Sequence, residues 1–218
     1  MYNTIVFIVL SIICCIFGLR EIKKVEISKD SKIGMFELFV PKIIKHETIY
    51  YCILNLIISV IVYYLYFSKF DFSYNNIIEI IKFIIIFQSC FMLSVIDLKS
   101  FKIPNKYTFP LIIIMILFSL LSLNTFLNSL FGLLTGFFAI FLLQVINPNG
   151  IGGGDAKLCA LLGILLGFPN IIYGILGGFV LGGLFALILL KMKLISKKDY
   201  IPYGVYFFIA SIIVYFVF

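Results

Sequence analysis

Charge is scarce in this chain. Only 12% of its 218 residues are Asp, Glu, Lys or Arg, and 63% are hydrophobic, whereas soluble domains carry about 25% charged residues. That shortage excludes a soluble domain, which could not hide so much apolar surface. A bilayer removes the difficulty, because lipid solvates an apolar exterior and each spanning helix consumes roughly 20 apolar residues. Metal-ligand patterns are missing too. The single histidine, His46, sits in a charged stretch, and it reads as solvated. The five cysteines, Cys14, Cys15, Cys52, Cys90 and Cys159, lie inside apolar runs and form no C-x-x-C pair. This argues against a disulfide framework and a zinc site, and reads the cysteines as small membrane-buried hydrophobes. No metal and no cofactor is expected. The start of the chain lacks a positive n-region and a small-residue cleavage site, so Met1 to Gly18 reads as a retained helix. A soluble linker, a low-complexity tract and a clear internal repeat are absent as well.

What is present is a series of apolar runs, at about 2–18, 49–67, 77–96, 107–123, 126–146, 156–168, 171–190 and 203–218. They predict an all-α fold, a polytopic transmembrane helix bundle of about eight spans. The run 156–168 is short for a span; it either borrows length from the glycine-rich segment before it or sits inside the bundle behind other helices. Basic residues cluster in 19–48, in 97–106, at Lys157 and in 191–202. With eight spans these segments share one side, and the other side keeps only Lys69 and Lys82. The positive-inside rule turns the loaded side, with the loop 19–48, toward the cytoplasm and both termini outward. The net charge of +7 is then a topology signal, with some attraction to anionic lipid headgroups and no call for nucleic acid. The expected partner at this level is the lipid bilayer. Small residues recur at four-residue spacing in Gly132 and Gly136, in Gly163 and Gly167, and in Gly174, Gly178 and Gly182. Such ridges let helix backbones approach closely, and they predict bundle packing.

Ionisable residues at membrane depth are costly and call for a reason. Asp97 ends the third run, and Asp155 follows Gly152, Gly153 and Gly154, with Gly150 two positions further back. The topology puts both acids at cytoplasmic helix ends, where they can meet although 58 positions separate them. Two carboxylates in contact share one proton. The ionised partner takes a proton from water and the protonated one polarises a peptide carbonyl, as in aspartic proteases. Glycines beside the acid would let an extended peptide approach the backbone. Each aspartate also has a structural reading. Asp155 suits the N-cap of a helix starting at Ala156, and Asp97 suits an interfacial pair with Lys99 or Lys102.

Ile96-Asp97-Leu98-Lys99 through Ile103-Pro104-Asn105, and Gly152-Gly153-Gly154-Asp155-Ala156-Lys157, resemble the two motifs of the type IV prepilin peptidases, membrane aspartyl peptidases of the GxGD type. Leu158, Ala160, Leu161, Gly163 and Gly167 continue the second motif in the family manner, and Ile201-Pro202-Tyr203-Gly204 resembles a late family segment. The resemblance covers about 90–218, and divides the chain into an N-terminal membrane region, 1–89, and a catalytic membrane region, 90–218. It implies removal of a short basic leader from prepilins or pseudopilins at the cytoplasmic face of the prokaryotic cell membrane. Asp97 and Asp155 would be the catalytic pair. Gly152, Gly153, Gly154 and Lys157 would meet the substrate, with Lys99 and Lys102 shaping the local field. For the acids of the first loop, Glu21, Glu26, Asp30, Glu37 and Glu47, a role in meeting the basic leader competes with that of a solvated loop. Many family members also methylate the new N-terminus with S-adenosylmethionine, and their first loop often carries two zinc-binding C-x-x-C pairs. This chain has no cysteine in that loop and no glycine–serine segment in residues 1–20, which speaks for peptidase activity without methyl transfer. Two other readings remain open: a transporter or ion pathway using Asp97 and Asp155, and a non-catalytic scaffold that binds pilin-like helices through its glycine ridges.

Overall fold

The computed structural model describes residues 47–69, 77–121, 123–148, 150–196 and 201–218. The expected first span, residues 19–46 of the expected loop 19–48 with every charge of that loop but Glu47, and Lys197 and Lys198 lie outside the described residues. Seven α-helices and no strand occur among the described residues: α1 (Glu47–Lys69), α2 (Ile77–Ser100), α3 (Asn105–Leu120), α4 (Leu123–Ile146), α5 (Gly153–Leu166), α6 (Asn170–Lys191) and α7 (Gly204–Val217). Each coincides with one of the apolar runs from 49–67 onward, to within a few residues at its ends.

Three helices are long and apolar enough to cross a membrane, over Ile78–Ser100, Thr125–Ile146 and Asn170–Lys191. The apolar stretches Ile53–Tyr66, Asn105–Leu120 and Gly204–Val217 are shorter. The three long spans differ in position. In α2 67% of the span is buried, against 22% in α4 and 28% in α6. The α2 span is therefore central, and the other two are peripheral. Their outer faces carry exposed Phe131, Phe138, Leu142, Val180, Leu184 and Leu187, the surface that hydrocarbon solvates.

The short run has the second of its two expected placements. Helix α5 is 14 residues long, about 21 Å at 1.5 Å per residue, which falls short of a hydrocarbon core of about 30 Å. From Asp155 to Leu166 every residue except Lys157 is buried. It lies inside the bundle, packed against α4, α3 and α2.

The glycine ridges explain how the helices come so close. A methyl group on Gly132 would overlap the carbonyl oxygen of Gly163, and one on Gly136 the carbonyl oxygen of Cys159. The α4 and α5 ridges thus face each other backbone to backbone. The α6 ridge meets α7, with Gly174 against Ser211, Gly178 against Phe207, and Gly182 against Tyr203 and Tyr206. Van der Waals contact over such surfaces drives association where lipid offers no hydrophobic gain. Gly167 closes α5 with φ +70° and donates its N–H to Gly163 O at 2.8 Å, a left-handed stop that glycine adopts without a side-chain penalty.

Several polar groups inside the bundle pair with one another. Gln88 donates to Ser59 Oγ at 2.8 Å and to Tyr63 OH at 3.0 Å, and Ser59 donates to Asn55 Oδ1 at 2.9 Å, tying α1 to α2. Lys82 pairs with Glu79 at 2.7 Å, and Thr125 donates to the same carboxylate at 2.7 Å, which joins α2 to the start of α4. Cys90 and Cys159 are buried free thiols.

Candidate active site

Three chain segments build one cavity of about 510 Å³ at one end of the bundle. The first runs from the end of α2 into α3 and supplies Asp97, Phe101, Lys102, Ile103 and Asn105. The second is the α4–α5 turn, with Pro148, Gly150, Ile151, Gly152, Gly153, Gly154 and Asp155. The third leads into α7 and supplies Ile201 and Pro202. The two aspartates therefore share one cavity. Both are largely buried, Asp97 5% and Asp155 7% exposed.

Asp97 stands in the last turn of α2. Its Oδ2 accepts the backbone N–H of Gly204 at 3.1 Å, and the Gly204 carbonyl in turn accepts the Ser94 hydroxyl at 3.3 Å. Gly204 is thus pinned between two α2 side chains one turn apart. A methyl there would come within 2.8 Å of Asp97 Oδ2 and 3.2 Å of Leu158 Cδ2, so only glycine lets the backbone reach the carboxylate. After Asp97 the chain turns sharply. Phe101 has φ +54° and donates its N–H to Asp97 O at 2.8 Å. That is a left-handed helix stop at a bulky aromatic residue, a strained position of the kind that gathers at functional sites.

Asp155 is not the helix N-cap that its sequence position allowed. Helix α5 begins at Gly153, with Gly152 in extended conformation as the cap. Asp155 is the third helical residue, and its Oδ2 accepts the N–H of Gly152 at 3.3 Å. Glycines let the helix start three residues earlier than Ala156, which carries Asp155 into the first turn. One carboxylate oxygen is tied to the turn while the side chain still faces the cavity. Gly154 is needed for packing, since a methyl on it would stand 2.9 Å from Ile103 Cβ.

Of the other expected site residues, Gly152, Gly153 and Gly154 line the cavity, whereas Lys157 is not one of its lining residues. Its ammonium donates to Asn105 Oδ1 and stands 5.3 Å from the centre of the Phe109 ring. Lys102 lines the cavity, and Lys99 is buried. Among the described residues no three of His, Cys, Asp and Glu gather into a metal-binding group. Sequence reasoning missed Asn105 and Phe101 as wall residues. It quoted Pro202 and Gly204 only as part of a resemblance, although a buried carboxylate needs a backbone donor and a Pro-x-Gly segment before a helix is one place to find it.

Residues 84–187, which include both aspartates, match the model of the type IV leader peptidase family. The match covers just under half of the chain. Individual relatives are similar to part of this chain as well. Prepilin peptidase EppA of Methanocaldococcus jannaschii is 28% identical over 152 residues, 65% of this chain and 41% of that protein. Proteins named prepilin leader peptidase/N-methyltransferase are similar as well. That of Bacillus subtilis is 23% identical over 63% of this chain and 56% of its own. That of Vibrio cholerae is 32% identical over 58% and 51%. The chain spans about half the length of these relatives. No solved structure matches.

Proposed function

We propose that this chain is a membrane aspartyl endopeptidase that removes the basic leader from type IV prepilins or pseudopilins, with Asp97 and Asp155 as its catalytic pair. One observation carries the reading: within a type IV leader peptidase region, two buried aspartates 58 positions apart line one cavity whose wall includes a run of glycine backbone.

The chemistry follows from that arrangement. Two buried carboxylates on one cavity cannot both ionise cheaply, so the pair holds one proton. The ionised member takes a proton from a water molecule as that water attacks the carbonyl carbon of the scissile peptide. The protonated member donates to the carbonyl oxygen as its charge grows. Collapse of the tetrahedral intermediate returns a proton to the leaving nitrogen. The N–H donors of Gly204 and Gly152 each hold one oxygen of an aspartate, which leaves the other oxygen for water or substrate.

The proposed topology has eight spans, with 90–218 as the catalytic membrane region, 1–89 as the N-terminal one, and the cavity facing the cytoplasm of a prokaryotic cell. The cavity lies at the end where Lys99, Lys102 and Lys106, Lys157, and Lys191 and Lys193 gather, which supports that orientation. Methyl transfer is not part of the proposal, given the cysteine-free first loop.

The test is a cleavage assay in membranes. The chain is co-expressed with pilin-like precursors that carry a basic leader and an apolar helix, beside equally expressed Asp97→Asn and Asp155→Asn. Cleavage by wild type and by neither variant supports the pair. Uncut genuine precursors, or normal cleavage by either variant, would move a transporter or a non-catalytic scaffold ahead.

A further inference from the structure

One cavity residue is left unused by the aspartate chemistry. Asn105 is the only neutral polar side chain among the described residues that line the cavity. It is the first residue of α3, and its Oδ1 accepts a hydrogen bond from Lys157 Nζ, two residues beyond Asp155 on α5. Lysine can only donate. The pairing therefore fixes which end of the amide faces Lys157, and what Asn105 has left to offer is its two N–H donors. Lys157 is itself held from a second side, over the face of Phe109 one turn along α3.

An extended peptide lying in this cavity brings backbone carbonyls that have lost their water. The walls offer few side-chain donors for them. Phe101, Ile103, Ile151, Ile201 and the prolines have none, an ionised aspartate only accepts, and the one other side chain that always donates is that of Lys102. We propose that Asn105 is a substrate-binding residue that donates its side-chain N–H to a backbone carbonyl of the bound peptide, and that Lys157 is the positioning residue that holds the amide in the donating orientation. This inference rests on the peptidase reading. It recasts Lys157 as a residue acting through Asn105 and not on the substrate directly.

The test uses the full chain in lipid nanodiscs and a precursor already shown to be cut by wild type. A backbone contact made equally before and during reaction sets KM and leaves kcat alone. Asn105→Ala is expected to raise KM about tenfold, with kcat within about twofold of wild type. Asn105→Asp keeps the size and the Lys157 pairing but loses the donor. Its added negative charge would by itself draw a basic leader in, so a raised KM with unchanged melting temperature isolates the lost N–H. Lys157→Met is expected to raise KM several-fold, Lys157→Arg to restore it, and Lys157→Met to add nothing in the Asn105→Ala background. A wild-type KM in both Asn105 variants, or additive effects of the two positions, overturns the inference and leaves the peptidase standing. Failure of wild type to cut any precursor overturns both.

Discussion

The nearest neighbour of a methyl group placed on Gly204 is the Asp97 carboxylate, at 2.8 Å. That one contact makes a side chain with no chemistry of its own decisive at the residue scale. Gly204→Ala is expected to displace the carboxylate and cost about 10²-fold in cleavage rate, the scale seen when a reacting group shifts by about 1 Å. Its melting temperature should fall only modestly. Kinetics and thermal melting on the same preparation check this, and full activity would show that the carboxylate tolerates the crowding. The aspartates themselves were legible in the sequence, because charge at membrane depth is rare enough to stand out. Gly204 was not, because the need for it lies in a neighbour 107 positions earlier. Asp155 was misread by three residues of helix: a glycine-rich start has no side chain to mark the first turn, and the favoured N-cap character of aspartate pointed to the wrong boundary.

Among the elements, the seven described helices were legible because long apolar runs leave few alternatives in a bilayer. Which helix is central was not. Mean hydropathy is similar in α2, α4 and α6, and burial separates them only once the ridges are docked. The ridges make a contrast that can be measured. Gly163→Ala must push α4 and α5 apart, backbone against backbone, and is expected to destabilise by about 1–3 kcal/mol. Gly183 sits in the same class of glycine-rich helix but has nothing within 4 Å of its would-be methyl. Gly183→Ala is expected to be stabilising by about 0.5–1 kcal/mol, through helix propensity alone. Denaturation in mixed detergent micelles reads both, and equal effects would mean that spacing and not contact governs these glycines.

At the scale of the molecule, a pair holding one proton implies a bell-shaped pH profile. Activity is lost on the acid side as the ionised member gains a proton, since nothing then activates water. It is lost on the alkaline side as the second proton leaves, since nothing then polarises the carbonyl. A profile with a single limb would argue against a shared proton. The proposed orientation has its own check. Lys193 is exposed in the segment after α6. With Cys14, Cys15 and Cys52 replaced, Lys193→Cys is expected to react with an impermeant thiol reagent only when the cytoplasmic face is accessible. The buried Cys90 and Cys159 stay silent.

The burial of α5 has a consequence for the membranes in which this chain can work. Hydrophobic mismatch acts on surfaces that touch lipid, and is relieved by tilt of the helices that present them. Here those include the outer faces of α1, α3, α4 and α6, while the helix bearing Asp155 is shielded among its neighbours. The carboxylate geometry is thus mechanically decoupled from acyl-chain length. Thinner or thicker bilayers would tilt the periphery around a fixed interior, so the same carboxylate pair can keep its geometry in membranes of different thickness without redesign.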